Sequence, residues 1–220
     1  MISDDDVARL LSLIAHEVRG PLGVIRGYLR LLEQQGESLS EPHRQAVGAT
    51  LKAADRAVDL LAQVSMLARL HRGEITPAFS PMPLDRLLQT TVQGLTLPTE
   101  PRVTVHIGAT PSVSVRADEL LLRAALSSFI LALARAQASD ARIYLVTREE
   151  HDGAHGVTIT LTSMEPISAT HTDVRLDLSR GGLGLDLPIA AFIIDAHNGR
   201  LRERRDRGRF VGVAVWLPTG

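Results

Sequence analysis

Near the start of this chain, one pattern leaves little choice of fold. Apolar residues stand at Val7, Leu11, Ile14, Val18, Leu22, Ile25, Leu29 and Leu32, at steps of 4, 3, 4, 4, 3, 4 and 3. Only a helix brings positions so spaced onto one face, and the steps are those of a heptad repeat with one extra residue. The slip coincides with Pro21. Ser3 followed by Asp6 fits a capping signal, and Asp4 and Asp5 suit the positive end of a helix dipole. After the turn "QQGESLSEP", a second seam runs through Val47, Leu51, Ala54, Val58 and Leu61, and it ends near "LHRGEITP". Two amphipathic helices joined by a short turn predict an antiparallel hairpin over residues 1–73. Each seam then lacks a third helix to cover it. Pairing two hairpins into a four-helix bundle solves this, so a homodimer is expected.

Past Glu74 the period changes. "LDRLLQTTVQGL" reads as a helix, and "RVTVHI" and "SVSVRA" alternate like strands. "ADELLLRAALSSFILALARAQ" is apolar nearly all round, as a buried helix is. "ARIYLVTRE" and "GVTITLTS" form strands about a turn at Asp152-Gly153. "GLGLDLPIAAFIIDAHNG" turns helical after its glycines and stops at Asn198-Gly199, and "RLRERRD" and "FVGVAVWLP" close as a hairpin. Residues 74–220 are therefore expected to form an α/β sandwich, with helices on one face of a mixed sheet, making the chain α+β as a whole.

Composition removes several function classes. With no cysteine, disulfides, thiol catalysis and cysteine-based zinc sites are excluded. A formal charge of −1 gives no general pull toward nucleic acid or anionic membrane, and aromatic residues, at 3%, leave little for base stacking. The longest apolar segment, "AALSSFILALA", is too short to span a bilayer, and the acidic start is unlike a secretory signal, so a cytoplasmic location is expected. His151 and His155 flank Asp152-Gly153, which breaks any helix that would align them as metal ligands. Arg202, Arg204, Arg205, Arg207 and Arg209 read as a solvated strand edge that discourages aggregation. His197 reads as a helix C-terminal histidine, favourable with the dipole.

The first helix carries one more regularity. At 100° per residue, His16 points about 180° away from the midpoint of Ile14 and Val18, so it faces solvent. Gly20, Gly23 and Gly27 follow it at +4, +7 and +11, within about 40° of its direction. They make a bare groove. Each glycine costs roughly 1 kcal/mol relative to Ala and an interior proline about 3, about 6 in all, which bundle packing must offset. Pro21 also leaves the carbonyl of Glu17 without its helical donor. Spacing alone leaves two readings open: a surface histidine on an imperfect helix, or a site where a partner backbone comes close.

The residues of this helix resemble a known pattern. "AHEVRGPLGVIRGYLRLL" resembles the H-box of bacterial sensor histidine kinases, with His16, Glu17, Arg19, Pro21 and Leu22 filling His-Glu-x-Arg-x-Pro-Leu. The downstream order is similar too: a helical hairpin, then an ATP-binding sandwich of the Bergerat type. "GGLGLDLPIAAFIIDAHNGRL" resembles the family's second glycine box and the helix after it. The resemblance implies that His16 accepts a phosphoryl group through a ring nitrogen. It implies that Glu17 orients the ring or serves as base, since only neutral imidazole attacks phosphorus.

The nucleotide positions depart from that family. Ser128 and Ala132 stand where the kinases carry two asparagines, one of which helps hold Mg²⁺, and alanine offers a metal no oxygen. "TSMEPIS" replaces the first glycine box, placing Ser163 where the adenine-reading Asp is expected and Glu165 near the first glycine. Only Gly181, Gly182 and Gly184 keep the form of a phosphate loop, and Gly20 replaces the Thr or Asn that positions water for phosphatase action. These departures lead to the expectation of a dimeric histidine phosphotransferase that does not bind ATP. It would move phosphoryl groups between receiver-domain aspartates through His16, with Arg19, Gly20, Gly23 and Gly27 as the docking surface. On this reading the chain needs no cofactor, because the receiver supplies Mg²⁺, and it has no nucleic-acid or membrane partner. The alternatives are an ATP-dependent sensor histidine kinase core and a non-catalytic dimeric scaffold for receivers.

Overall fold

A computed structural model describes residues 4–34, 39–97, 101–137, 139–150, 155–164, 171–175 and 186–219. The chain divides into two compact units, Met1–Ile75 and Thr76–Gly220. The first is the hairpin of α1 (Asp4–Gln34) and α2 (Glu41–His71). Helix α1 continues unbroken through Pro21. Small residues let the two helices approach: Ala8, Ala15, Ala54 and Ala68 are buried between them with Leu51. At the open end, the α2 C-cap Arg72 reaches across the pair. It donates to the Ala8 carbonyl and to Ser12 Oγ, both at 3.1 Å, while Nε and Nη2 grip the two Glu74 oxygens at 2.7 and 3.0 Å. Arg26 and Arg30 approach Asp55 at 3.5 and 3.9 Å farther along.

The expected single seam on α1 divides in two. Leu22 and Leu29 are half-buried toward α2, whereas Leu11, Ile14, Val18, Ile25 and Leu32 remain 39–48% exposed. A second exposed apolar set, Leu10, Leu13, Val24, Tyr28 and Leu31, lies farther round the helix.

The second unit contains β1 (Ser80–Pro83), α3 (Leu84–Gln93), β2 (Val103–Ile107), β3 (Ser114–Ala117), α4 (Glu119–Arg135), β4 (Ala141–Glu150), β5 (Gly156–Thr162), β6 (His171–Arg175), α5 (Asp186–Ala196), β7 (Arg200–Asp206) and β8 (Arg209–Pro218). Six strands form a mixed sheet in the order β2-β4-β5-β8-β7-β6, with β2 parallel to β4 and the other pairs antiparallel. β1 and β3 make a separate two-stranded sheet. The core lies between the large sheet and its helices. Leu122, Leu126, Phe129, Ile130 and Leu133 of α4 pack there with Ile143, Leu145, Ile159, Leu161 and Val215, all essentially unexposed.

Turn chemistry sets the ends. Asn198 takes a left-handed φ of 53° after α5, and Gly199 donates to the Ile194 carbonyl at 2.9 Å, closing the helix where the sequence predicted a stop. Arg207 and Gly208, both at positive φ, turn β7 into β8. Strand β7 is not an edge, because β6 pairs with it, so the arginine-rich strand is interior to the sheet rather than a solvated margin. The turn at Asp152-Gly153, with His151, lies outside the described residues. No helix among the described residues is long and apolar enough to cross a membrane.

Candidate functional site

The site begins with one turn of α1. Ala15 is fully buried against α2, and this fixes the rotation of the helix. His16, one residue on, is consequently exposed, as are Glu17, Arg19 and Gly20. Gly23 and Gly27 continue the exposed strip. A methyl group added at Gly20, Gly23 or Gly27 would meet nothing within 4 Å. The groove expected beside His16 is therefore open along its length in the single chain, and Leu13, Val24 and Leu31 border it. The Arg72 clamp on Ala8 and Ser12 holds α1 one turn before His16. Nothing in the periodicity pointed to Arg72. Its partner Glu74 has its carboxyl held below the ordinary value, chiefly by the hydrogen bond from Arg72.

In the second unit, α4 presents the positions where nucleotide contacts were expected. Ala132 is wholly buried, and Ser128 is half-buried. Ser163 is tied to the sheet: its amide donates to the Val211 carbonyl at 2.9 Å, and its hydroxyl approaches the same oxygen at 3.4 Å. Glu165, Gly181, Gly182 and Gly184 lie outside the described residues. Among the described residues, no group of three or more His, Asp or Glu side chains could hold a metal ion. Ala132 itself contributes no oxygen to a metal.

A structural junction missed by the sequence reading stands between α4 and α5. His197 stands at the C-terminal end of α5, as expected, and is buried. Its Nδ1 donates to the Ile193 carbonyl at 2.7 Å, and Nε2 accepts the Asp118 amide at 3.0 Å. Phe79 packs edge-on against the ring, at 5.2 Å between centroids. Asp118 caps α4 by accepting from the Leu121 amide at 3.1 Å, and it also accepts from the Ala78 amide at 2.9 Å. Burial alone would raise the Asp118 pKa. The amides of Leu121 and Ala78, with the neighbouring His197, outweigh it and hold the carboxyl below its ordinary value.

Comparison with known proteins bears on both units. Residues 6–73 match the His Kinase A (phospho-acceptor) domain family. The phosphate regulon sensor protein PhoR of Pseudomonas aeruginosa is 28% identical over 199 residues, covering 86% of this chain and 44% of that protein. The signal transduction histidine-protein kinase AtoS of Escherichia coli is 26% identical, covering 89% and 32%. The sensor protein BasS of Salmonella typhimurium is 26% identical, covering 93% and 57%. The chain thus spans between 32% and 57% of the length of these relatives. Among solved structures, full-length ShkA in complex with AMPPNP superposes with a TM-score of 0.71 at 22% identity, over 96% of this chain and 46% of that one. The Acinetobacter baumannii histidine kinase AdeS gives 0.59 at 15% identity, over 93% and 98%. A helical hairpin followed by an α/β unit with a mixed sheet is therefore the fold of histidine kinase cores.

These similarities correct the functional expectation. The relatives are sensor kinases, and their likeness runs through the second unit as well as the hairpin. That favours the ATP-dependent kinase alternative over a phosphotransferase working without ATP. The expectation of a dismantled nucleotide site rested on Ser128, Ala132, Ser163 and Glu165. Four side chains are a narrow basis, because main-chain amides do much of the work of cradling phosphates.

Proposed function

We propose that this chain is the phosphoacceptor and ATP-binding core of a histidine kinase, and that His16 is the residue phosphorylated. The observation that carries this reading is the extent of the kinase similarity, 86% to 93% of the chain in three relatives, which takes in both units. The exposed His16–Glu17 pair supports it. A ring nitrogen of His16 attacks the γ-phosphorus of ATP. The N–P bond forms as the bond from phosphorus to the bridging oxygen breaks, and ADP leaves. The ring proton passes to Glu17 or to solvent. Gly181, Gly182 and Gly184, placed in sequence just ahead of α5, suit an anion held by successive amides.

The phosphoryl group then passes to the aspartate of a receiver domain lying along the groove, where Arg19, Gly20, Gly23 and Gly27 permit close approach. Two hairpins pair through the exposed seam of Leu11, Ile14, Val18, Ile25 and Leu32. The test is to incubate the wild-type chain and His16→Gln with Mg-ATP, following nucleotide binding and phosphoryl incorporation separately. Binding should stabilise both chains equally, by about 2.7 kcal/mol at 100 times the dissociation constant. Incorporation should occur in the wild type alone. Absence of both binding and incorporation in the wild type overturns the proposal.

A further inference from the structure

Strand β2 stands at an edge of the large sheet. Its pairing with β4 is parallel, and in such a ladder alternate residues turn both backbone groups to the partner. The Ala141 amide donates to the Arg102 carbonyl at 3.1 Å, and the Gly108 amide donates to the Leu145 carbonyl at 2.8 Å. Even-numbered residues of β2 therefore bond to β4. The amides and carbonyls of Val103, Val105 and Ile107 point the other way, to the open edge, and nothing among the described residues bonds to them.

The two faces of this edge differ in chemistry. On the helix-covered face, Val105 and Ile107 stand beside Ile143 and Leu145 of β4. Their neighbours are fully buried, yet Val105 and Ile107 are only half-buried, so the core is incompletely covered here. On the outer face, Arg102, Thr104, His106, Asp140, Ala141 and Arg142 line a shallow recess of about 460 Å³. Its one carboxylate, Asp140, accepts the Arg102 amide at 2.7 Å. Arg102 and Arg142 are exposed, and neither guanidinium has a partner among the described residues. The His106 ring stacks on Tyr144 of β4, at 5.7 Å between centroids, which holds it on this face.

We propose that β2 takes up an extended segment of another protein as a further strand, one in which acidic and apolar residues alternate. The backbone groups of Val103, Val105 and Ile107 supply the ladder. An added strand lies about 4.8 Å outside β2, and its side chains on one face repeat every 6.6 Å or so, as those of Arg102, Thr104 and His106 do. Carboxylates on its outer face then lie beside Arg102 and toward Arg142, where guanidinium groups bind them through paired N–H donors. Apolar residues on its other face cover Val105 and Ile107. A second copy of this chain fits the edge less well, because pairing two β2 strands brings their arginines together.

The test titrates the full chain with a labelled synthetic peptide, Glu-Val-Glu-Val-Glu-Val-Glu, following binding by anisotropy and amide hydrogen exchange residue by residue by NMR. Binding should saturate, weaken with added salt, and weaken by about tenfold or more in Arg102→Gln/Arg142→Gln, two exposed positions whose replacement should leave the urea midpoint unchanged. The amides of Val103, Val105 and Ile107 should exchange about tenfold or more slowly in saturating peptide, while those of Thr104 and His106, already bonded to β4, change little. Only alternate amides of an added strand face β2. Of two further peptides, one N-methylated at its valines and one at its glutamates, one should therefore lose binding. No saturable binding, unchanged exchange at the three edge amides, equal binding by the double variant, or full binding by both N-methylated peptides overturns the proposal.

Discussion

Replacing Asp118 with Ala tests the junction on which the second unit is assembled. The Asp118 carboxylate accepts from the Leu121 amide at 3.1 Å as the N-cap of α4, and from the Ala78 amide at 2.9 Å. Loss of an N-cap costs about 0.5–2 kcal/mol, and hydrogen bonds to a charged acceptor are worth about 1.5–3 each. The Ala78 amide is exposed and water can replace its partner, so the sum should be about 2 kcal/mol. With a urea dependence of about 2 kcal/mol/M, the unfolding midpoint should fall by about 1 M. Trp216 lies in β8, so its fluorescence follows this unit and not the hairpin. Asp118→Asn keeps an acceptor at the cap and should lose less.

The pH dependence has a definite sign. The folded carboxyl titrates below its ordinary value, so its stabilisation is present above the unfolded value of about 3.9 and is lost as pH falls through the lower, folded one. The gap between wild type and Asp118→Ala should therefore be constant near neutrality and narrow below about pH 4. A midpoint for Asp118→Ala equal to that of the wild type at neutral pH would refute this reasoning, as would a gap that widens in acid.

Three further outcomes are expected. Ile25 is 48% exposed in the single chain, so Ile25→Asp should remove about 1 kcal/mol of burial per copy and place a charge in the seam, weakening dimerisation about 100-fold by sedimentation. An unchanged association constant would show that the seam is not the interface. Gly27→Ala meets open space and should raise hairpin stability by up to about 1 kcal/mol in a thermal melt followed by circular dichroism; a loss would mean the strip is not free. Arg72→Ala removes the clamp on Ala8 and Ser12 and should lower hairpin stability by about 1–2 kcal/mol in the same melt, while the Trp216 signal stays unchanged.

The hairpin was legible because a heptad pattern admits few alternatives. What the pattern could not separate was which apolar residues face α2 and which face outward. That division is set by Ala8, Ala15, Ala54 and Ala68, residues too small to register as a seam. The mixed sheet was legible strand by strand except at β6, and β1 of the small sheet was not legible either. The sequence of β1 is Ser-Pro-Met-Pro, and two residues without amide donors argue against a strand; it survives as half of a two-stranded sheet paired with β3. His197 was legible as a helix C-terminal residue, but its contacts to Asp118 and Phe79 are distant in sequence, and no local spacing reveals them. On α1, helical geometry alone placed His16 and the glycines on one exposed strip. The nucleotide side was read too literally, from the loss of single side chains.

The most direct measurement is to locate the phosphoryl group after incubation with Mg-ATP, by mass spectrometry of the peptide that contains residues 14–29 under alkaline conditions that preserve phosphohistidine. The expected result is one phosphoryl group on His16, stable in alkali, released in acid and absent from His16→Gln. A chain that binds ATP yet leaves His16 unmodified, or that carries the phosphoryl group on another residue, would contradict the assignment of His16 as the phosphoacceptor.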